Sequence, residues 1–183
     1  MAGPGQRRNN ASMFNRSARW YDDFYAGVDY EAEAEQVAAI IRELKPGARS
    51  LLDVACGTGR HLAGFRLHFD CAGADIEPGM LAVARKTLPG IPFHLADMEA
   101  LDLGQSFDAV TCLFSSIGYT MSPERLDRAV RAMAGHLHPG GVLVVGPWIT
   151  PDAWVGDGTE SVAVVEQRGA KLVRVISSRR NGD

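Results

Sequence analysis

The chain has 183 residues, long enough for one domain with a sizeable core. Its 46% apolar and 22% charged content is ordinary for a soluble globular protein, and 19 basic against 22 acidic side chains leave a net charge of −3 with no long run of either sign. That balance speaks against nucleic acid or a membrane surface as the main partner.

Targeting and redox signals are equally plain. The opening "MAGPGQRRNN" has no apolar run behind its charges, so it does not read as a signal peptide. No stretch approaches the roughly 20 apolar residues that span a bilayer. Cys56, Cys71 and Cys112 sit in apolar, strand-like segments. No pair has metal-ligand spacing, and an odd number does not make a disulfide framework. A reducing, cytoplasmic setting is expected.

Residues 1–12 are rich in Gly, Pro, Asn and Arg and read as a loose tail. "SARWYDDFYA" is aromatic and short, a helical turn or two. "DYEAEAEQVAAIIREL" then places Val37, Ile40, Ile41 and Leu44 on one helical face, with Asp29 as N-cap and Lys45-Pro46-Gly47 as stop. After Gly47 the pattern changes. "SLLDVA" is a continuous apolar run with one acid, as expected of a strand buried on both faces. "GRHLAGFRLHF" returns to helical spacing, "CAGADI" to a strand, and "PGMLAVARKTL" to a helix with Pro78 in its first turn. "IPFHLA" and "FDAVTCLFSS" are strands. "SPERLDRAVRAMAGHL" is an amphipathic helix capped by Ser122, with Leu126, Val130, Met133 and Leu137 inward. "PGG" ends it, and "VLVVGPW" is the next strand. Alternation of this kind predicts an α/β fold with a doubly wound parallel sheet. "SVAVVEQRGAKLVRVISS" instead reads as an antiparallel hairpin turning at Gly169.

In such a sheet ligands sit beyond the carboxyl ends of the strands, where "ACGTG" falls. Gly57 and Gly59 allow positive φ and close approach to backbone. A dinucleotide fingerprint needs a further glycine at position 62, and that residue is Leu62. No Gly-Lys-Ser/Thr follows, so the loop is not a phosphate-cradling Walker loop either. What remains is an acid and three small residues, Asp53, Ala55, Gly57 and Gly59. Taken alone, the pair of glycines is also what a tight turn needs. Two more acids close the next two strands. Asp75, at the end of the second, is placed to accept from ribose hydroxyls; Asp97, at the end of the third, is placed to accept from an adenine amino group, with the Met98 N–H beside it. Met80 is a candidate flank for the ring, although a methionine in an apolar helix is more often core. His61 reads as a surface helix residue, and His94, His136 and His138 as structural or exposed.

The glycine loop with its acid resembles that of class I S-adenosylmethionine-dependent methyltransferases. "LLDVACGTGRHL", "LADMEAL", "FDAVTCLFSSIGY", "PGGVLVVGPW" and the upstream "WYDDFYAGVDY" together are similar to the N-methyltransferases (N,N-dimethyltransferases) of dTDP-3-amino-deoxysugars in antibiotic biosynthesis. The resemblance implies a Rossmann-like sheet of strand order 3-2-1-4-5 with an N-terminal helical cap. It implies a cofactor-binding domain over 13–150 and, over 151–183, the start of a small substrate-side sheet. Ala55, Gly57 and Gly59 would line the methionine moiety of S-adenosylmethionine, with Asp53 holding the loop. Asp75 and its neighbour Ile76 would meet the ribose, Asp97 and Met98 the adenine, and Phe114 and Ser115 would close the site. Tyr21 would stand over the sulfonium and acceptor. Tyr119 would face the acceptor, with Tyr25 and Trp148 near the substrate pocket. No metal is implied, and a homodimer is.

Members of this group continue past "SSRRNGD" with more of the small sheet, a helix and a final strand pair. Three readings stay open: an amino-sugar N-methyltransferase, an O- or C-methyltransferase of another small metabolite, and a truncated cofactor-binding protein without turnover.

Overall fold

The computed structural model describes residues 20–146, 160–167 and 170–177. The N-terminal tail, Trp148 and the hairpin turn at Gly169 lie outside the described residues.

Residues 20–24 are helical and lead into helix α1 (Tyr30–Leu44). The Asp29 carboxylate accepts from the Ala32 N–H at 3.0 Å, satisfying one of the orphan donors of the first turn. The buried stripe of α1 is Tyr30, Ala34, Ala38 and Ile41, not the bulkier set expected. Ile40 is 46% exposed and Leu44 65%, while Val37 is partly buried. The reason is close approach. A Cβ built on Gly64 of helix α2 (Arg60–Phe65) would lie 2.7 Å from the Ala34 Cβ, so α1 must offer small residues at this crossing.

Strand β1 (Ser50–Val54) is central, with β2 (Asp70–Asp75) on one side and β4 (Phe107–Cys112) on the other. Outside them lie β3 (Phe93–Leu95) and β5 (Leu137–Val145), giving the all-parallel order β3-β2-β1-β4-β5 that the resemblance implies. Helix α3 (Pro78–Thr87) links β2 to β3, and α4 (Pro123–Ala134) precedes β5. Because side chains alternate along a strand, Leu51 packs with Ile41, Leu62, Phe65 and Leu81 on one face. Leu52 and Val54 pack with Val110, Cys112 and Met133 on the other. Both faces are covered, which is why β1 reads as an unbroken apolar run.

Ser122 caps α4, its hydroxyl accepting from the Arg125 N–H at 3.3 Å. Ala129 and Met133 are its buried residues. Leu126 is 41% exposed and Leu137 belongs to β5, so the inward face is narrower than expected. Pro139, Gly140 and Gly141 do not end the helix. They lie inside β5, where the register against β4 jumps from Phe107↔Leu137 to Ala109↔Val142 and Gly140 takes φ +72°. This is an irregularity of the β-bulge type, and glycine absorbs it.

The amino ends of β1 and β4 are fastened by Asp108. Its carboxylate accepts from the N–H groups of Arg49 (2.8 Å) and Ser50 (3.1 Å) and from the Ser50 hydroxyl (3.2 Å). That hydroxyl accepts in return from the Asp108 N–H at 2.9 Å, and Lys45 lies 3.5 Å from the carboxylate. These bonds hold the Asp108 carboxyl below its usual range.

Strands β6 (Glu160–Gln167) and β7 (Ala170–Ser177) form a separate antiparallel pair, as expected, with Val162↔Val175 and Val164↔Val173 opposite each other. Arg174 of β7 lies over the rings of Phe24 (5.1 Å) and Tyr25 (4.6 Å), which ties the hairpin to the N-terminal helical segment. Cys56, Cys71 and Cys112 are free thiols. Among the described residues no helix is long and apolar enough to cross a membrane, and no cluster of acids, histidines and cysteines is placed to hold a metal.

Candidate active site

The loop after β1 turns through three left-handed residues in five: Ala55 (φ +58°), Gly57 (+55°) and Gly59 (+82°). After β4, the neighbouring strand, Phe114 (+54°) and Ser115 (+57°) do the same. Left-handed backbone is uncommon outside glycine, and such strain gathers where surrounding structure imposes it for a purpose. Both bends sit at the carboxyl ends of the strands where the order reverses, the place an open α/β sheet reserves for ligands.

The two glycines have different work. A Cβ on Gly57 would meet nothing within 4 Å, so its bareness keeps the cleft open. A Cβ on Gly59 would stand 2.8 Å from Leu88 Cδ1, so its bareness lets the turn sink onto the core. The Gly59 N–H is also spent within the turn, on the Cys56 carbonyl at 2.9 Å. Gly59 shapes the loop from behind.

Asp75 clamps the loop from the next strand. One carboxylate oxygen accepts from the Gly57 N–H at 2.7 Å, the other from the Glu77 N–H at 2.8 Å. Burial raises its pKa, and the N–H bonds from Glu77, Gly57 and Ile76 oppose the rise. Ile76 beside it is exposed, whereas Met80 is buried. The Ala96 N–H donates to the Asp75 carbonyl at 3.0 Å, which brings the end of β3 alongside. There Asp97 caps the 3-10 turn Met98–Ala100, accepting from the Glu99 N–H at 2.9 Å. Glu99 anchors this turn to α4 through Arg125 and, at 2.8 Å, Arg128.

Asp53 is 2% exposed and accepts from the Thr111 hydroxyl of β4 at 2.7 Å. Burial pushes its pKa up to about 6, against the opposing pull of His61 and Thr111.

The N-terminal segment roofs the cleft. The Thr58 hydroxyl of the glycine loop donates to Asp22 at 2.6 Å. Tyr21 packs on Tyr25 (4.8 Å between ring centroids), and Tyr25 meets Phe114 edge-on (5.1 Å). Tyr30 lies 5.8 Å from Phe114 and 5.0 Å, edge-on, from His61. Together with the loop these border a small cleft of about 50 Å³ whose walls include Tyr21, Tyr30, Asp53, Gly57 and Phe114. Burial, with Tyr25, Tyr30 and Tyr119 nearby, drives the Tyr21 hydroxyl pKa well above the usual phenol value. Tyr119, on the 3-10 turn Ser116–Thr120 and about half exposed, is raised by burial and by Tyr25. Both are protonated hydroxyls at neutral pH, able to orient a ligand but not ionised to act as bases.

His61 is not a surface residue. It is 8% exposed, lines the cleft and pairs through Nε2 with Glu33 at 2.9 Å. Arg60, Tyr30, Thr58 and Asp22 were likewise outside the expected site. The signal available for Asp22 and Thr58 was their position beside Tyr21 and between the two glycines. His136 is structural as expected: Nδ1 faces the Ala132 carbonyl at 2.7 Å, and Nε2 accepts from the Leu103 N–H at 2.9 Å.

Residues 51–141, from β1 into β5, match the family model described as "Methyltransferase domain". The chain is 47% identical over 166 residues to the dTDP-3-amino-3,4,6-trideoxy-alpha-D-glucopyranose N,N-dimethyltransferase of Streptomyces venezuelae, covering 89% of this chain and 70% of that one. The chain belongs to the dTDP-amino-sugar N,N-dimethyltransferase family. To another family member, the dTDP-3-amino-3,6-dideoxy-alpha-D-glucopyranose N,N-dimethyltransferase of Streptomyces fradiae, it is 42% identical, over 86% of this chain and 62% of the relative. The S-adenosylmethionine-bound structure of CalS10, an amino pentose methyltransferase from Micromonospora echinaspora, superposes with a TM-score of 0.79 at 43% identity, over 88% of this chain and 70% of that one. The present methyltransferase chain thus spans between 62% and 70% of the lengths of these three. The groups around this cleft suit the family's cofactor in their chemistry. The space in front of Gly57 is open, and the Asp75 carboxylate, with about four lone-pair sites, keeps acceptor capacity beyond its N–H bonds from Gly57, Glu77 and Ile76. A buried hydroxyl, that of Tyr30, has no hydrogen-bond partner among the described residues.

Proposed function

We propose that this chain N-methylates the amino group of a nucleotide-linked deoxy-amino sugar, using S-adenosylmethionine. The observation that carries the proposal is the aromatic roof of Tyr21, Tyr25, Tyr30 and Phe114 held over an open glycine loop by the Asp22–Thr58 bond.

S-adenosylmethionine supplies a methyl group on a sulfonium, and its departure as a thioether needs no acid. The chain's residues therefore bind, align and exclude water. Asp75 receives the ribose hydroxyls, and Asp97 with the Met98 N–H receives the adenine edge; Ile76 and Met80 belong to the same half. Ala55 and Gly57 give the methionine half its passage, while Asp53 and Gly59 hold the loop's shape. Phe114 and Ser115 close the site from β4. The face of Tyr21, which lines the cleft, favours a cation beneath it. The protonated Tyr21 and Tyr119 hydroxyls orient the acceptor amine, which attacks in its neutral form and releases its proton to solvent. Tyr25 and Trp148 belong to the acceptor side. A homodimer is part of the same proposal, and light scattering tests it. The three free thiols support a reducing, cytoplasmic setting.

The test is product mass. Incubation with S-adenosylmethionine and a dTDP-3-amino-deoxysugar is expected to give the mono- and dimethylated amine, and none from the matching 3-hydroxy sugar. Methylation of the hydroxy sugar alone would overturn the choice of acceptor.

A further inference from the structure

Strand β7 turns its side chains against the usual preference. Val173 and Val175 are 54% and 60% exposed, and Val164 and Val162, opposite them on β6, are exposed as well. Alternation therefore puts Arg174, which lies between the two valines and opposite Ala163, on the other face of the hairpin, where it is half-buried. Hiding the valines and exposing the arginine would cost less. Something on that face must compensate for the guanidinium. Among the described residues it is not a carboxylate: no acid pairs with Arg174, and its Nε is buried without a hydrogen-bond partner. What meets it is two rings, Tyr25 at 4.6 Å and Phe24 at 5.1 Å. A cation shielded from water gains more from such a ring than an exposed one does.

Tyr25 in turn is the hub of the aromatic roof. Its ring packs on Tyr21 at 4.8 Å and meets Phe114 edge-on at 5.1 Å, and Tyr119 is close enough to feel it electrostatically. Tyr21 and Phe114 line the cleft, whereas neither Tyr25 nor Arg174 is among its walls. Arg174 also reaches Tyr21 through its charge, which opposes the rise of the Tyr21 hydroxyl pKa.

We propose that Arg174 is a positioning residue for methyl transfer: it fixes the ring of Tyr25, and through Tyr25 it aligns Tyr21 and Phe114 over the cleft. This rests on the methyltransferase reading above, and goes beyond it by giving the hairpin, which lies outside the parallel sheet, a part in the reaction. The side chain acts at one remove, so the step it governs is alignment rather than binding.

The experiment compares wild type with Arg174→Met, which keeps an apolar stem without the charge, and Arg174→Lys, which keeps the charge. Each is read by hydrogen exchange, by calorimetry with S-adenosylhomocysteine, and by kinetics with S-adenosylmethionine and a dTDP-3-amino-deoxysugar. In Arg174→Met, exchange should quicken across residues 21–25 and stay as in wild type across β1 and β4. Its kcat should fall about tenfold to a hundredfold, as when aligned groups shift by about 1 Å. KM for the sugar nucleotide and affinity for S-adenosylhomocysteine should stay within about twofold. Arg174→Lys should recover most of the lost kcat. An unchanged kcat in Arg174→Met, or a loss that lysine does not restore, overturns the proposal. So does a raised KM with kcat intact, which would make Arg174 a direct contact to the anionic nucleotide, and so does exchange that quickens equally in β1 and β4, the mark of a merely structural role. A wild type that methylates no amino sugar overturns the functional reading and the positioning role with it; exchange across 21–25 separates that failure from failure of the link between Arg174 and Tyr25.

Discussion

Thr58 Oγ1 donates to Asp22 Oδ1 at 2.6 Å, joining the N-terminal helical segment to the glycine loop through one bond. Thr58 is 4% exposed, so the bond is shielded from water. Two parts of the site that are separate in sequence are thereby made one.

Thr58→Val keeps the shape and removes the donor. Loss of a hydrogen bond to a charged group predicts about 1–3 kcal/mol of destabilisation. Hydrogen exchange should quicken across residues 20–24 before the sheet is affected. Asp22→Asn, which keeps an acceptor, should be milder. Unchanged exchange at 20–24 in Thr58→Val would show that the aromatic contacts alone hold the roof.

Gly57→Ala and Gly59→Ala separate binding from folding. Each puts a Cβ on left-handed backbone, a cost of about 1 kcal/mol. At Gly57 the new methyl enters open space in the cleft. Melting should fall by a few degrees while S-adenosylhomocysteine affinity falls by more than about tenfold. At Gly59 the methyl strikes Leu88, adding an overpacking cost of about 1–3 kcal/mol. That variant should lose more stability than Gly57→Ala. The reverse order of stabilities would refute the division of roles.

Asp53 gives stability a pH slope of unusual sign. Its folded-state pKa, about 6, is above its unfolded value, 3.8, because burial disfavours the charge. Its contribution is therefore full below the unfolded value and is lost as pH rises through about 6, a change of about 3 kcal/mol at most. Asp53→Asn should flatten the stability curve between pH 4 and 6. Chemical denaturation across that range, on both proteins, reads the difference directly.

Glu99 works in the opposite sense. Its bonds to Arg125 and Arg128 lower its pKa, so its contribution is present above the unfolded value near 4.5 and is lost as pH falls through the folded one. Glu99→Gln should destabilise the protein by about 1–2 kcal/mol at neutral pH. It should also weaken binding of the adenine nucleoside by releasing the turn that carries Asp97. Full adenosine-nucleoside affinity in Glu99→Gln would show that Asp97 needs no such support.

Much of this was legible in the sequence because it rests on local patterns. The run "SLLDVA" and the alternation after it led to β1 as a strand covered on both faces of a parallel sheet, and the family resemblance to its central place. The acids Asp53, Asp75 and Asp97 do fall at or just beyond three adjacent strand ends. What escaped was set by partners far along the chain. Ile40 and Leu44 looked like core, but the crossing with Gly64 demands alanines. His61 looked solvated because its partners, Glu33 and Tyr30, lie on another helix. Pro139-Gly140-Gly141 looked like a helix stop, and only pairing with β4 makes it a bulged strand. Gly57 and Gly59 share a motif, and nothing local says that one faces a cleft and the other a leucine.

Asp108 fastens β1 to β4 at their amino ends, remote from every residue assigned to the ligand. Alignment of the two central strands is thus secured without help from the loops at the opposite rim. A lineage can rework Phe114, Ser115 or Tyr119 at that rim while the strands stay in step. The molecule keeps its grip at one end and does its exploring at the other.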